Sequence, residues 1–387
     1  MESYKMGNFM ISSSLMADVL NISENEARKI LNSKNVRFLN YNDIEYLTFR
    51  RTIGRIPEGS VIIYSKNKKA LFVPGYPQIK RALILSTAIS RHFLDYIVVE
   101  EKLNGYNVRI VRYYGKILTI TRGGYICPYT TQKIKELLEK LGGKINKGEV
   151  VFVEVVGDEN PYTRYKYPNC NGFCFFVIDV LKGKKWLDVK QKERFCRERN
   201  LPCVKQYGIV KKDETAKLWE IIRKLEKDER EGIVLKDIKN RVSPLKYTTS
   251  YCNIGDIRDG MKFFFDEGKG YIFPRILREM FKIEEENLDK SELEKREIEL
   301  GKALLESAIE SINSFKKNGY LGEEFSLRFK NINEMNEFVS FMKKQGGLIE
   351  IREVKKENGE IIAKFLKRKR TEKIIEDIIK RGISPLD

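Results

Sequence analysis

Histidine is nearly absent from this sequence, since His92 is the only one among 387 residues. A single imidazole argues against histidine-based acid–base chemistry and against His-rich metal sites. No C-x-x-C pair occurs among the six cysteines. Cys170 and Cys174 have a spacing that a zinc site can use, but no good second pair accompanies them. Free buried cysteines are therefore expected.

Long hydrophobic runs are also missing. No apolar stretch reaches the ~18–20 residues of a membrane span, and the N-terminus shows no signal-peptide pattern. We therefore expect a cytoplasmic protein with no membrane association.

Positive charge is in excess, with 73 Lys and Arg against 55 Asp and Glu and a net charge of +18. This excess favours a polyanionic partner, because neutralising phosphates releases counterions. A generally basic proteome or a solubility effect would give the same balance. With 42% hydrophobic and 33% charged residues, the composition predicts a folded protein of roughly two to four domains.

Four domains are predicted from the patterns along the chain. Residues 1–66 combine a capped helix with strands, as in a small α+β domain. Residues 67–252 carry short apolar runs typical of strands packed in two sheets. Residues 253–316 are helical, and residues 317–387 indicate a β-α-β-β-α order.

A long charged helix within residues 253–316, in the stretch ENLDKSELEKREIELGKALLESAIESINSF, has one apolar face, formed by Leu293, Leu300, Leu304 and Ile312. Such a face suits a partner helix, but packing within the chain is more common, so the pattern favours self-association only slightly. Further on, the basic stretch KFLKRKR either contacts a nucleic-acid backbone or forms a solvated sheet edge.

The stretch EEKLNG, residues 100–105, places a lysine beside carboxylates at the end of a predicted strand. Alternation puts Glu100 and Lys102 on one face and Glu101 on the other. Gly105 permits a turn that lets a ligand come close. Alone, this pattern is more typical of a solvated lysine.

Other charged positions follow in a fixed order: Arg122 in TRGG, Glu154 in FVEVVG, Glu231 and Lys236 in EGIVLK, and Lys246 in PLKY. A charge inside an apolar strand requires a polar site or a partner. Glu154 meets that description outright, and the other positions flank apolar runs.

The blocks EKLNG, FVEVVG, FFVIDV, EGIVLK and PLKY together resemble the motifs of the covalent nucleotidyltransferases, which include nucleic-acid ligases and RNA capping enzymes. More closely, the chain resembles the archaeal, homodimeric ATP-dependent RNA ligases. The resemblance implies an α+β fold. Its catalytic (adenylation) domain, residues 67–252, is a nucleotidyltransferase domain with ATP-grasp-like antiparallel sheets and helices. A small N-terminal domain, a helical dimerisation domain and a C-terminal α+β domain flank it.

The resemblance also implies a reaction. Lys102 attacks the α-phosphorus of ATP to form lysyl-AMP, AMP passes to an RNA 5′-phosphate, and a 3′-hydroxyl of the same or another strand displaces it. With a reference pKa of ~10.4, about one lysine in 2,500 is neutral at pH 7. Lys246 and a bound Mg²⁺, for which Mn²⁺ can substitute, would favour the neutral amine and screen the α-phosphate.

The remaining roles are carried over by position. Glu100 corresponds to the adenine-edge contact, Arg122 to a ribose or phosphate contact, and Glu154 to a ribose-hydroxyl contact. Glu231 corresponds to a catalytic acid that holds a hydrated Mg²⁺ beside the phosphates. Lys236, like Lys246, corresponds to an α-phosphate contact.

Three positions depart from the family pattern. Asn104, beside Gly105 in the nucleotide site, stands where many relatives carry Asp. Ile178 replaces the expected aromatic residue, so that either Phe176 stacks on adenine or it belongs to the core. A second lysine expected in the last motif is missing around Ser243. Arg109, on the same hairpin as Lys102, has no assigned role.

Three alternatives stay open at the level of sequence. Two are related nucleotidyltransferases, a capping enzyme that uses GTP and a DNA ligase. The helical segment and the lack of an evident C-terminal small barrel count against both. The third is a non-catalytic RNA-binding protein on the same scaffold.

Overall fold

The computed structural model describes residues 3–6, 9–65, 68–163, 165–168, 170–267 and 269–384. The predicted domain boundary at residues 66 and 67 lies outside the described residues, as do residues 385–387. Two compact units are present. The first unit comprises Met1–Gln78, Gly105–Gly157 and Lys166–Cys203, and the second comprises Ile79–Asn104, Asp158–Tyr165 and Val204–Asp387. The four-domain division stays a prediction.

The strands, in chain order, are β1 (Ser3–Met6), β2 (Phe9–Ser12), β3 (Val36–Tyr41), β4 (Ile44–Phe49), β5 (Val61–Ser65), β6 (Lys68–Val73), β7 (Lys80–Arg81), β8 (Tyr96–Lys102), β9 (Tyr106–Tyr113), β10 (Lys116–Thr121), β11 (Glu149–Val156), β12 (Cys174–Lys182), β13 (Lys185–Trp186), β14 (Gln206–Lys211), β15 (Gly232–Asp237), β16 (Leu245–Thr248), β17 (Gly322–Phe329), β18 (Ile349–Glu357) and β19 (Glu360–Arg368).

The helices are α1 (Ser13–Leu20), α2 (Glu24–Leu31), α3 (Leu85–His92), α4 (Pro128–Leu141), α5 (Val189–Glu198), α6 (Thr215–Lys227), α7 (Ser250–Lys262), α8 (Phe264–Glu267), α9 (Lys269–Glu286), α10 (Lys290–Asn318), α11 (Ile332–Lys344) and α12 (Arg370–Arg381).

The first unit contains two larger antiparallel sheets, with strand orders β3-β4-β5-β6 and β10-β9-β11-β12-β13. Apolar side chains from both sheets form one core, which includes Ile44, Ile63, Val111 and Phe152. The predicted helix cap is confirmed, since the Ser23 side chain accepts a hydrogen bond from the first turn of α2.

The second unit contains a five-stranded sheet in the order β14-β8-β15-β16-β7. Its strands are antiparallel except for the parallel pair β16–β7. One face packs against α3 and α6 through residues such as Val99, Ile233, Leu235, Leu85 and Leu218. Residues 67–252 therefore contribute to two five-stranded sheets, as the apolar runs predicted.

Helices follow this sheet in the second unit. Leu300 and Leu304 of α10 pack against a core of α7 residues, and Ile312 packs near Phe263. These predicted apolar positions are thus covered by the chain itself. A different set of α10 residues is exposed, namely Ile298 at 58%, Leu305 at 67% and Ile309 at 54%.

The C-terminal segment follows the predicted β-α-β-β-α order, and its turn lies at Asn358-Gly359, both with positive φ. Its sheet has the order β17-β19-β18. The interpretation of KFLKRKR as a sheet edge is wrong, because these residues lie mostly on the central strand β19. Lys364 and Lys369 form ion pairs with Glu324 and Glu323 at 2.7 and 3.0 Å.

A disulfide joins Cys170 and Cys174, whose Cα atoms are 5.8 Å apart across a short loop. The expectation of free buried cysteines is wrong for this pair. Cys127, Cys196 and Cys252 are buried and outside any disulfide, as expected, whereas Cys203 is outside any disulfide but only half-buried. Among the described residues, none of the helices combines the length and the apolar character that crossing a membrane demands.

Candidate active site

Charged residues gather on one face of the five-stranded sheet of the second unit. Lys102 pairs with Gly232, Glu100 with Val234, and Val234 with Lys246. Directly paired residues of adjacent strands point to the same side of a sheet. The backbone register therefore places these lysines and Glu100 together, on the face opposite the apolar core.

Lys102 lies at the end of β8 and donates a hydrogen bond to the carboxylate of Glu231. The two side chains are 19% and 12% exposed, so the ion pair is largely buried but still accessible to a ligand. The Glu231 carbonyl accepts a hydrogen bond from the Thr249 backbone N–H at 2.9 Å, which fixes the start of β15. Beside it, Gly232 has φ +148°, and a Cβ there would lie 2.1 Å from the Tyr247 carbonyl oxygen.

Glu100 and Lys236 form a second ion pair, with 3.0 Å between Oε2 and Nζ. Both side chains are almost fully buried. The predicted adenine contact and one predicted phosphate contact thus face each other. Glu101 points to the other side, as alternation predicts, and accepts a hydrogen bond from the Tyr207 hydroxyl at 3.2 Å.

The other predicted nucleotide contacts lie in the first unit. Glu154 on β11 pairs with Phe176 on β12 and with Asn107 on β9. Phe176 is half-buried on the same face as Glu154, whereas Ile178 packs against the core of this unit. Asn107 is buried, and neither amide atom has a hydrogen-bond partner among the described residues.

Asn107 was missed at the level of sequence. A buried amide that lacks partners is uncommon and is a sign of an absent ligand or water. The only sequence signal is an amide side chain two positions after Gly105, near the start of β9.

The TRGG loop is tightly packed in the first unit. A Cβ on Gly59 would lie 2.0 Å from the Arg122 carbonyl oxygen, while the Arg122 side chain is exposed. Fully buried Arg109 donates hydrogen bonds to the Gly59 and Pro74 carbonyls at 2.7 and 2.9 Å and to the Thr121 carbonyl. Burial lowers the pKa of Arg109 to about 9, so it stays charged at neutral pH. Arg109 therefore anchors the loop that carries Arg122.

The loop after Lys102 crosses from the second unit to the first between Asn104 and Gly105. Asn104 is half-buried. A Cβ on Gly105 would lie 2.1 Å from the carbonyl oxygen of Val155, next to Glu154. Only glycine allows this close backbone approach without displacing one of the two strands.

Comparison with known proteins identifies the family. Residues 95–248 match the family model described as RNA ligase, and residues 260–381 match the model described as Ligase Pab1020 C-terminal region. Uncharacterized protein MJ0414 of Methanocaldococcus jannaschii is 38% identical over 348 residues, which cover 88% of each chain. The chain belongs to the RNA ligase family.

Solved structures agree with this family assignment. An archaeal ATP-dependent RNA ligase is 27% identical, with a TM-score of 0.88 over 96% of this chain and 100% of that one. A protein of Aquifex aeolicus, provisionally named an ATP-dependent DNA ligase, is 28% identical, with a TM-score of 0.84 over 93% of this chain and 100% of that one. The predicted resemblance, the α+β nucleotidyltransferase fold and the prediction of an RNA ligase are confirmed.

Arg81 is a further charged residue on the five-stranded sheet of the second unit, and the sequence did not predict it. It lies on β7 directly opposite Lys246, and its Nη1 donates to the Thr248 hydroxyl at 2.8 Å. The pKa of Arg81 is lowered to about 10, chiefly by burial and also by the nearby Arg278, while Glu231 opposes the shift. A two-residue strand in a parallel pair has no signature in sequence.

Binding of a metal ion at this site would require a bound nucleotide. Among the residues that the structure describes, no three His, Cys, Asp or Glu side chains are grouped to hold an ion. Mg²⁺ is usually bound by one or two carboxylates together with substrate phosphates and water. Glu231 beside Lys102 therefore suits a metal that arrives with ATP, and does not by itself form a resident metal site.

Proposed function

We propose that this chain is an ATP-dependent RNA ligase that joins RNA 5′-phosphate and 3′-hydroxyl ends through a lysyl-AMP on Lys102. The observation that carries the proposal is the pairing of Lys102 with Glu231 on the sheet face that also holds Glu100, Lys236 and Lys246. Family membership and the likeness to an archaeal ATP-dependent RNA ligase support ATP-dependent RNA ligation. A capping enzyme and a non-catalytic RNA-binding protein are not favoured.

In the first step, the neutral amine of Lys102 attacks the α-phosphorus of ATP. A P–N bond forms, the P–O bond to pyrophosphate breaks, and the amine proton is released to solvent. A carboxylate next to a lysine favours its protonated form, so the charge of Glu231 has to be offset. Lys246 on the same face contributes the opposite charge, and it also stabilises negative charge that grows on the α-phosphate.

In the second step, an oxygen of the RNA 5′-phosphate attacks the same phosphorus, and the P–N bond breaks to return Lys102. In the third step, the 3′-hydroxyl oxygen attacks the 5′-phosphorus and loses its proton. The phosphodiester forms and AMP leaves. Each attack requires its groups to be held in line, so orientation accounts for much of the rate.

The nucleotide contacts are proposed by the same correspondence. Glu100 reads the adenine edge, Phe176 stacks on the base, and Glu154 binds a ribose hydroxyl. Arg122 contacts ribose or phosphate. Asn107 joins this set, because its buried amide lies beside Glu154 and has no partner among the described residues.

Asn104 and Gly105 let the nucleotide approach the nucleophile. Lys236, like Lys246, contacts the α-phosphate. The proposed metal is Mg²⁺, for which Mn²⁺ can substitute, with Glu231 as its protein ligand. When bound, it supplies positive charge opposite the phosphates.

The chain is proposed to act as a homodimer. Support comes from the exposed α10 residues Ile298, Leu305 and Ile309, whose positions along the helix place them on one face, where a partner helix could cover them. Cytoplasmic location and the four-domain division, with residues 253–316 for dimerisation, also remain our predictions.

The central test is mass spectrometry of the purified chain after incubation with ATP and a divalent cation. We expect an AMP adduct on the wild type and none on Lys102→Ala, because no other side chain replaces the amine. The matched control is Lys239→Ala, which removes an exposed lysine outside the site and should keep the adduct. An equal adduct on Lys102→Ala would contradict the assignment.

Acceptor choice is tested with 5′-phosphorylated RNA and DNA strands of one sequence. Sealing of RNA, with DNA sealed much more slowly, supports the proposal. Preferential sealing of DNA would contradict it, and a GMP adduct formed in preference to AMP would favour a capping enzyme.

A further inference from the structure

Two arginines of the second unit converge on the charged face of its sheet. Arg81 comes from β7 and donates to the Thr248 hydroxyl at 2.8 Å. Arg278 comes from α9, within the matched C-terminal region, and donates to the Asn253 Oδ1 at 3.4 Å. The Thr248 hydroxyl donates to that same Oδ1 at 2.7 Å. One short chain of hydrogen bonds therefore holds both guanidinium groups.

The polar side chains behind these arginines are fixed in turn. Asn253 is buried, and its Nδ2 donates to Glu279 at 2.6 Å. Glu279 is buried as well and forms an ion pair with Arg296 at 2.8 Å. The geometry of the pair is therefore set before any ligand binds, which lowers the entropy lost on binding.

A third arginine accompanies the pair but has its own partner. Arg275 lies one turn before Arg278 on α9, and its Nε contacts Asp256 at 2.7 Å. Arg81 and Arg278 have no carboxylate ion-pair partner among the described residues. The Nε of Arg278 is also buried without an acceptor there.

Bringing these cations together is costly without an anion. Burial lowers the pKa of Arg278, Arg275 lowers it further, and Asp256 and Glu231 oppose the shift. Arg278 also lowers the pKa of Arg81. Cations held this close with free donors are typical of a site for a ligand with several negative charges.

The position of Arg81 in the sheet indicates which anion the arginines would bind. Lys102, Lys246 and Arg81 lie on β8, β16 and β7, so Arg81 lies beyond Lys246 as seen from the nucleophile. In phosphoryl transfer the leaving group departs opposite the attacking atom. A group beyond the α-phosphate contact is therefore placed for the leaving group and not for the nucleoside.

We propose that Arg81 and Arg278, with Arg275 beside them, bind the β- and γ-phosphates of ATP and hold the pyrophosphate that leaves when AMP is transferred to Lys102. This inference rests on the proposed function, since it assigns the phosphate end of the same nucleotide. It gives the C-terminal region a part in the first step, because α9 supplies one of the two guanidinium groups. The bond changes are those of that step, and the arginines offset charge on the departing oxygen.

The test measures binding of inorganic pyrophosphate to the full chain by titration calorimetry. We expect Arg278→Met and Arg81→Met each to weaken binding at least tenfold, with Arg278→Lys intermediate because it keeps a charge but loses the planar fork. The matched control is Arg258→Met, which removes an exposed arginine of α7. Thermal unfolding confirms that each variant is folded, and the lysine variant keeps the test valid where a methionine variant fails to fold.

Reaction of adenylated chain with pyrophosphate gives a second readout. The arginine variants should release ATP at least tenfold more slowly, yet join pre-adenylated RNA at the wild-type rate, because that step involves no pyrophosphate. Unchanged pyrophosphate binding in both methionine variants would overturn the inference. If those variants also lost discrimination between 5′-phosphorylated and 5′-hydroxyl RNA, the site would serve the RNA end instead.

The two proposals can fail separately. A wild type that forms no AMP adduct, yet binds pyrophosphate through Arg81 and Arg278, would contradict the ligase mechanism and still support the phosphate site. An adduct that forms with the same ATP dependence in both methionine variants would keep the mechanism and sink the phosphate site.

Discussion

At the scale of single residues, the candidate site depends on backbone approaches that only glycine permits. Gly232 allows the backbone of β15 to approach the Tyr247 carbonyl of β16, next to Lys102. Gly105 allows the loop after Lys102 to approach the Val155 carbonyl. Lys102, the proposed nucleophile, is therefore positioned by the glycine backbone at these two places as well as by its ion pair with Glu231.

Replacing Gly105 by alanine tests this positioning. The added Cβ would lie 2.1 Å from the Val155 carbonyl oxygen, so the loop beside Lys102 has to shift. Displacements of about 1 Å can cost on the order of 100-fold in rate, and we expect a loss of about that size in lysyl-AMP formation. The rate is measured with labelled ATP.

The control is Gly301→Ala on α10, where an added Cβ meets nothing within 4 Å. It should adenylate at the wild-type rate. A Gly105→Ala chain that also adenylates at the wild-type rate would show that the loop tolerates the shift.

At the scale of elements, β15 is held at both ends. Glu231 pairs with Lys102 before its first residue, and Asp237 pairs with Arg241 at its last, with 2.7 Å between Oδ2 and Nη2. The Asp237 side chain is fully buried. Burial alone would raise the pKa of Asp237, but Arg241 and the backbone N–H groups of Arg241 and Lys239 hold it below its usual 3.8.

Removing the arginine should therefore destabilise the fold in a pH-dependent way. Arg241→Met leaves a buried carboxylate without its ion pair, which costs about 3 kcal/mol at pH 7. Because the folded pKa is lowered, the ion pair stabilises the fold fully above about pH 3.8 and less as the pH falls through the folded value. Denaturant unfolding at pH 7, 5 and 3.5 measures the difference.

Exposed Arg197 provides the control, since Arg197→Met should change the free energy of unfolding by less than about 0.5 kcal/mol. A difference between wild type and Arg241→Met that stays constant down to pH 3.5 would contradict the linkage to Asp237.

Sequence predicted the elements whose signals are local. The end of α4 at Gly142 and the hairpin at Asn358-Gly359 follow from residues that favour positive φ. The shared face of Glu100 and Lys102 follows from strand alternation. Arg81 and Arg278 could not be predicted, because a two-residue strand and a helix distant in sequence meet Thr248 and Asn253 only through tertiary packing.

At the scale of the whole molecule, the proposed homodimer depends on α10. Leu305 is 67% exposed, and Leu305→Lys would place a charge within any interface formed by this row. We expect the variant to sediment as a monomer where the wild type sediments as a dimer. The control is Leu348→Lys, which alters a leucine of similar exposure, 65%, outside α10. A wild-type monomer at all concentrations would refute the proposal.

The short strand β7 has a consequence for how this chain can be divided. It pairs with β16 and so covers the backbone of the strand that carries Lys246. A fragment cut to residues 95–248 would retain every motif yet leave the N–H and C=O groups of β16 bare. An exposed sheet edge of this kind pairs with strands of neighbouring molecules, so this fragment would be prone to aggregate before its activity could be measured.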